Sequence, residues 1–287
     1  MNFRPFKNEY EKNSAKEIIA TIDKGEKDIF ENSETKDKQC LYYSDEETIG
    51  VYCRYVYDDE IHIQIGFNID MPEEIGSEVL NLITNVQRNA NLDISIWYSP
   101  RNEKLEEFLF SNLAWKKKGQ KTYEFTATRK MLENTHFQEN SNVTILPFEE
   151  RYIIETCVML DNSLAHTFDN PAQKVFSNNK NVYINEWIEK AKSEDCCIMV
   201  ENNTVVGGYI LSGAEIDVIA VAVDKHCNGF GKQLLDHAIR HILNSAYKEL
   251  PYLYCKSNNI DAVKFYKHVG MEITAYSGYM VLGTFQK

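Results

Sequence analysis

Residues 226–235 read HCNGFGKQLL. A Gly-x-Gly opens a helical pattern here, directly after the apolar run at residues 218–223. Alone it is weak evidence, because a turn that needs two glycines looks the same. The setting sharpens it. The first N–H groups of a helix have no internal partner, and the helix dipole makes that end positive. Gly229 and Gly231 admit a ligand close to the backbone. Such an end suits an anion, a pyrophosphate in particular. Lys232 adds positive charge in the first turn, where a helix built for stability alone carries Asp or Glu.

The chain contains its own control. Cys40 to Tyr52 (CLYYSDEETIGVY) resembles Cys197 to Tyr209 (CIMVENNTVVGGY), and EIHIQI at 60–65 parallels EIDVIA at 215–220. Each pair reads as strand, polar turn, strand, and then strand. Helical patterns follow at 75–86 and 231–243, then the short strands DISIWY and YLYC, then the helical stretches KLEEFLFSNLAW and DAVKFYKHVGM. The offset stays near 155–157 residues, as in Cys40 to Cys197 and Glu60 to Glu215. A duplicated unit explains the common order. At the place of the Gly-x-Gly the first copy reads DMPEEIGSEVL (70–80), with Glu73, Glu74 and Glu78 at the helix start. Carboxylates there complement the dipole and repel phosphate.

This pattern predicts an α/β (α+β) chain of two tandem domains, each a mainly antiparallel mixed sheet flanked by helices. The expected divisions are residues 1–130, a polar linker at 131–142, and residues 143–287. Further helices are expected over 152–160 and 182–192. Asn202-Asn203 is expected to form a hairpin turn, since Asn tolerates positive φ.

Composition narrows the partners. The 287 residues carry 31 basic and 43 acidic side chains, a net charge of -12. A general nucleic-acid binder shows a basic face instead. The acidity favours a cationic partner, although it also serves solubility. Seven cysteines at irregular spacing, without Cys-x-x-Cys, read as reduced thiols and not as a zinc site. The first 30 residues lack an apolar signal core, and no window reaches the ~18 apolar residues of a membrane span. A cytoplasmic protein with no membrane, nucleic-acid or metal partner is the expectation.

Two further features carry a resemblance. Residues 215–223 read EIDVIAVAV just before the Gly-x-Gly, and residues 257–271 read SNNIDAVKFYKHVGM after it. A strand ending in an apolar-Val pair, then Arg/Gln-x-x-Gly-x-Gly/Ala, then a helix, is the signature of the GNAT superfamily of N-acetyltransferases. The later Asn-x-x-Ala…Tyr-x-x-x-Gly element has its equivalent in Asn259, Ala262, Tyr266 and Gly270. From about residue 143 to the end the chain resembles that family. The whole is similar to tandem GNAT proteins with a degenerate first copy, in which Phe110 replaces the Tyr266 equivalent. His226 departs from the pattern by standing where Arg or Gln is usual. A phosphate beside it would favour the protonated imidazole. That predicts tighter acetyl-CoA binding at about pH 6 than at about pH 8. Equal affinity at both would refute it.

The resemblance implies acetyl-CoA as co-substrate, lying between two splayed strands. Backbone groups near Val221 and Val223 would hold the pantetheine. His226, Cys227, Asn228, Gly229, Gly231 and Lys232 would surround the pyrophosphate, and Asn259 would reach the cofactor or cap its own helix. Transfer in this family is direct attack by an amine on the thioester. Alkyl amines are protonated at neutral pH (pKa about 10.4), so a base must take a proton. Glu215 fits the place of a glutamate base, Asp217 is the alternative, and water is a third. Two residues apart on a strand, the two carboxylates are expected to share a face. Tyr266 stands where the family has its general acid. His237 and His241, at i, i+4 spacing, read as solvated. The acceptor class expected is a small primary amine. Non-catalytic acetyl-CoA binding and transfer of a longer acyl group remain alternatives, and the oligomeric state is not legible.

Overall fold

The computed structural model describes residues 2–35, 37–89, 91–129, 131, 142–168 and 170–283. The expected linker at 131–142 lies outside the described residues except for its ends, Met131 and Asn142. The chain forms two compact units. The first comprises Met1–Glu124, Lys256–Asn258 and Ile273–Lys287, the second Phe125–Cys255 and Asn259–Glu272. The linear division at residue 143 therefore differs from the structure. The last strand of the sequence folds into the first unit.

In the first unit, helices α1 (Glu9–Ala20) and α2 (Lys24–Asn32) precede strands β1 (Asp37–Ser44), β2 (Ile49–Val56) and β3 (Glu60–Phe67). Then come α3 (Gly76–Asn89), β4 (Asp93–Tyr98), α4 (Glu103–Asn112), β5 (Trp115–Lys118) and β6 (Thr122–Thr126), in which the unit's first segment ends. Asn8 and Asp23 cap α1 and α2 by accepting the N–H groups of Glu11 and Glu26. Strands β1 to β3 form an antiparallel meander. β3 and β4 run parallel through five consecutive pairs, Glu60↔Asp93 to Gln64↔Trp97, with α3 as the crossover. The far edge of β4 pairs with β12 (Glu272–Leu282), and β5 adds to β12. Side chains on one face of this sheet, such as Tyr52, Ile63 and Ile96, pack with Val79, Ile83 and Leu105. The other face, with Val51, Cys53 and Tyr55, packs on Ile18, Ile19 and Phe30.

The second face also buries charge. His62 Nε2 lies 2.7 Å from Glu26 Oε2, and Gln64 donates to the same carboxylate at 2.8 Å. Beside it, burial pushes the Asp23 carboxyl up to about 6, and the charge on Glu26 adds to that. A raised carboxyl contributes stability that is fully present below its unfolded value and lost as pH rises through its folded value. The window therefore runs from 3.8 to about 6. Across it the fold loses about 3 kcal/mol on this account. Asp23→Asn keeps the capping oxygen and removes the charge. It should melt higher than wild type at pH 8, with the gap closing by pH 4. Parallel thermal melts at the two values measure it, and a pH-independent gap contradicts the account.

In the second unit, β7 (Thr144–Pro147), α5 (Ile153–Ser163), the short α6 (Val175–Asn178) and α7 (Lys180–Ala191) lead into β8 (Cys196–Glu201) and β9 (Thr204–Ser212). β10 (Glu215–Val221), α8 (Phe230–Asn244), β11 (Tyr252–Lys256) and α9 (Ile260–His268) follow. The sheet order β7-β8-β9-β10-β11 is antiparallel except for its last pair. Asn202 and Asn203 turn the β8–β9 hairpin at φ 49° and 65°, the left-handed pair expected of them. Trp187 is buried against Phe148 and Phe176, as a core residue. No helix among the described residues is long and apolar enough to cross a membrane.

Candidate active site

Two of the departures from regular pairing in the second sheet lie at β10. The register of β10 on β9 shifts between Ile216 and Val218, so Asp217 is the extra residue of a β-bulge. β10 and β11 meet at a single pair, Glu215↔Tyr252. Beyond that pair the two strands part. Past it, the facing edges of β10 and β11 exchange no further ladder pair among the described residues. The equivalent strands of the first unit, β3 and β4, stay zipped through five pairs, and β2 and β3 pair without a shift. The opening is a property of the second unit.

Beyond Val221 the chain makes a tight turn at Val223–Lys225 and enters α8 through residues 226–229. Cys227 and Gly229 both have positive φ, 64° and 79°. Alternation of left- and right-handed residues turns successive N–H groups into a concave nest. No side chain caps α8 and its first turn holds no acidic residue. Gln233 N–H is the first to bond back, to Gly229 O at 3.1 Å. The N–H groups before it form the positive end of a fifteen-residue helix. In the first unit the corresponding start of α3 carries Glu73, Glu74 and Glu78, and Glu78 Oε1 accepts the N–H of Phe3 at 2.8 Å.

The predicted site residues are distributed as follows. His226 directs Nε2 at Val221 O, 3.1 Å away, and the same oxygen accepts the Ser163 hydroxyl at 3.0 Å. The imidazole thus braces the turn, and the Val221 carbonyl is already doubly used. Ser163 carried no sequence signal, because its role depends on a contact across 58 residues. Lys232 is half exposed and pairs with Asp236, whose carboxylate is buried in the next turn. Its charge therefore offsets a buried anion before it serves any ligand. Gly231 lets the ring of Phe265 approach, with 3.6 Å from that ring to an added Cβ. Asn228 is exposed and bonds to Lys225 O. Asn259 caps α9 by accepting Ala262 N–H at 3.3 Å.

Tyr266 lies on α9 between the rings of Phe125 and Phe265, both 5.3 Å away. Burial pushes its phenol well above the ordinary value, with Cys255 of β11 adding to the shift. Glu215 occupies the closed end of the strand opening, with Tyr252 Oη 3.4 Å from Oε2. Asp217 is exposed, and the bulge breaks the two-residue alternation on which a face shared with Glu215 depends. Its carboxyl is nonetheless raised, by desolvation and by Glu186, against Lys190. The expectation of solvated histidines fails. His237 Nδ1 lies 3.0 Å from Tyr209 Oη, and burial lowers its pKa. His241 Nε2 lies 3.0 Å from Asp195 Oδ1. Among the described residues no group of three His, Cys, Asp or Glu is placed to hold a metal ion.

The family model described as "Acetyltransferase (GNAT) family" matches residues 161–271, from the end of α5 to the turn after α9. This segment is a GNAT-family domain. Most of the chain is similar in fold to a solved GNAT protein. A GCN5-related N-acetyltransferase from Sphaerobacter thermophilus superposes with a TM-score of 0.54, covering 89% of this chain and 84% of that one at 10% identity. A GNAT-family acetyltransferase from Colwellia psychrerythraea gives 0.49 at 11% identity, covering 98% and 99%. A tandem GNAT protein from the clavulanic acid biosynthesis pathway gives 0.47 at 8% identity, covering 100% and 98%. No curated protein matches the sequence. The match supports an acyltransferase activity for the segment it covers.

Proposed function

We propose that the second unit transfers the acetyl group of acetyl-CoA to a primary amine by direct attack, inside the cell. The carrying observation is the parting of β10 from β11 immediately after Glu215↔Tyr252. It is joined to the uncapped, positive end of α8 by one short turn. From Glu215 to Val221 the strand extends about 20 Å. Phosphates held at residues 227–231 direct the pantetheine arm back along β10, with its thioester toward Glu215.

The chemistry then follows. The amine nitrogen attacks the thioester carbon and the C–S bond breaks. Glu215, directly or through water, takes the proton that the amine must lose. Tyr266, kept protonated by its buried setting, gives its proton to the departing thiolate. The products are an amide and free CoA. The acceptor is proposed to be small and cationic, in keeping with the net charge of -12. In the first unit the zipped strands and the acids of α3 support a reading without a cofactor site.

Release of free thiol from acetyl-CoA across a panel of polyamines, amino acids and aminoglycosides tests the activity. Binding without release throughout the panel would favour a sensor instead. Propionyl- and succinyl-CoA tested alongside address the acyl group. Calorimetry should give one CoA site per chain, and two sites would overturn the reading of the first unit.

A further inference from the structure

We propose that Cys40 and Cys53 of the first unit form a reversible disulfide on exposure to a hydroperoxide, with Cys40 the sulfur that reacts first. The two are direct partners across the β1–β2 hairpin. Tyr42 exchanges both of its backbone hydrogen bonds with Arg4, at 3.0 and 2.7 Å, so these groups face away from β2. Tyr42↔Val51 is therefore a non-hydrogen-bonded pair, and two residues along, so is Cys40↔Cys53. In such pairs the Cα atoms stand about 4.5 Å apart, inside the roughly 4.4–6.8 Å range that a disulfide spans. The bridge can close with little backbone movement.

The two sulfurs differ in the way that such chemistry requires. Cys53 is fully buried, while Cys40 is partly exposed. The Cys53 thiol hydrogen-bonds to Cys40, and with Lys38 nearby this favours the Cys40 thiolate. The Lys38 ammonium is held in place by Phe30 O at 3.0 Å and by the Tyr55 ring at 5.0 Å. The Tyr55 hydroxyl lies 3.9 Å from Cys40 Sγ. Burial raises Cys53 instead. An accessible, activated sulfur with a second thiol against it is the arrangement of a redox-responsive pair.

The Cys40 thiolate attacks the outer oxygen of the hydroperoxide. The O–O bond breaks, an alcohol leaves with one proton, and Cys40 becomes a sulfenic acid. Cys53 sulfur then attacks Cys40 sulfur, and the displaced hydroxide leaves as water with the Cys53 proton. Two thiols are oxidised by two electrons, and the hydroperoxide is reduced to alcohol and water.

Residues 39–54 form one tryptic peptide, bounded by Lys38 and Arg54, and Cys40 and Cys53 are its only cysteines. The full-length protein is treated with hydrogen peroxide, unfolded, alkylated and digested. The expected peptide is unalkylated and about 2 Da lighter, and a thiol reductant given before alkylation restores two alkylated cysteines. In Cys53→Ser the reaction should stop at a Cys40 sulfenic acid that dimedone labels. The exposed Cys227 serves as the internal reference. A peptide still doubly alkylated when Cys227 is oxidised overturns the proposal. So does dimedone labelling of Cys53 in Cys40→Ser at a rate equal to that of Cys40 in Cys53→Ser.

Discussion

Tyr266→Phe is expected to lower turnover by about 10²–10⁴-fold while leaving the dissociation constant of acetyl-CoA within about twofold. The range is that of general acid catalysis by one positioned side chain. The substitution removes a single oxygen. The ring keeps its neighbours Phe125 and Phe265, so α9 retains its packing. The raised phenol holds its proton throughout the neutral range, as an acid poised for a thiolate must. Single-turnover rates and CoA titration on the same preparation separate chemistry from binding. A variant with the wild-type rate takes Tyr266 out of the mechanism. Equal losses in rate and affinity would make it a packing residue only.

Gly229→Val is expected to weaken acetyl-CoA binding by about 100-fold, or about 2.7 kcal/mol. Gly229 sits at φ 79°, where a β-branched residue is strained by at least the ~1–2 kcal/mol of a left-handed residue. An added Cβ would meet no protein atom within 4 Å. The proposed site uses that open space as the anion's path to the start of α8. Gly229→Asn separates the two causes, because Asn tolerates the left-handed region while still presenting a side chain. Weak binding in both variants assigns the loss to blocked approach. Loss in Val alone assigns it to strain, and normal affinity in both removes the loop from the cofactor site.

Local chemistry was readable from the sequence, and pairing was not. Alternation placed β3, β4 and β10, and the Asn202-Asn203 turn followed from the φ tolerance of Asn. The missing acids before Lys232 and the acids at residues 73–78 distinguished the two helix starts. The bulge at Asp217 and the single β10–β11 pair depend on what lies alongside, which no window of residues encodes. The same holds for side chains with two uses. His226 and Lys232 look available in the sequence, but Val221 O and Asp236 engage them. His237 and His241 were misread because Tyr209 and Asp195 lie far away in sequence. Asp23, Glu26 and His62 gave no signal, because a buried polar cluster drawn from one helix, its N-cap and a strand has no period.

The placement of β12 reverses the order in which the protein can be finished. Residues emerge from the ribosome from the first onward, and domains ordinarily fold in that sequence. Here β4 gains its outer neighbour only when residues 278–282 arrive, nearly the last of the chain. Until then its edge is an open row of hydrogen-bonding groups, a template for pairing with other chains. The first unit is thus completed only after the second has been synthesised. A stop codon just after α9 would damage the opposite end of the gene product from the one it shortens.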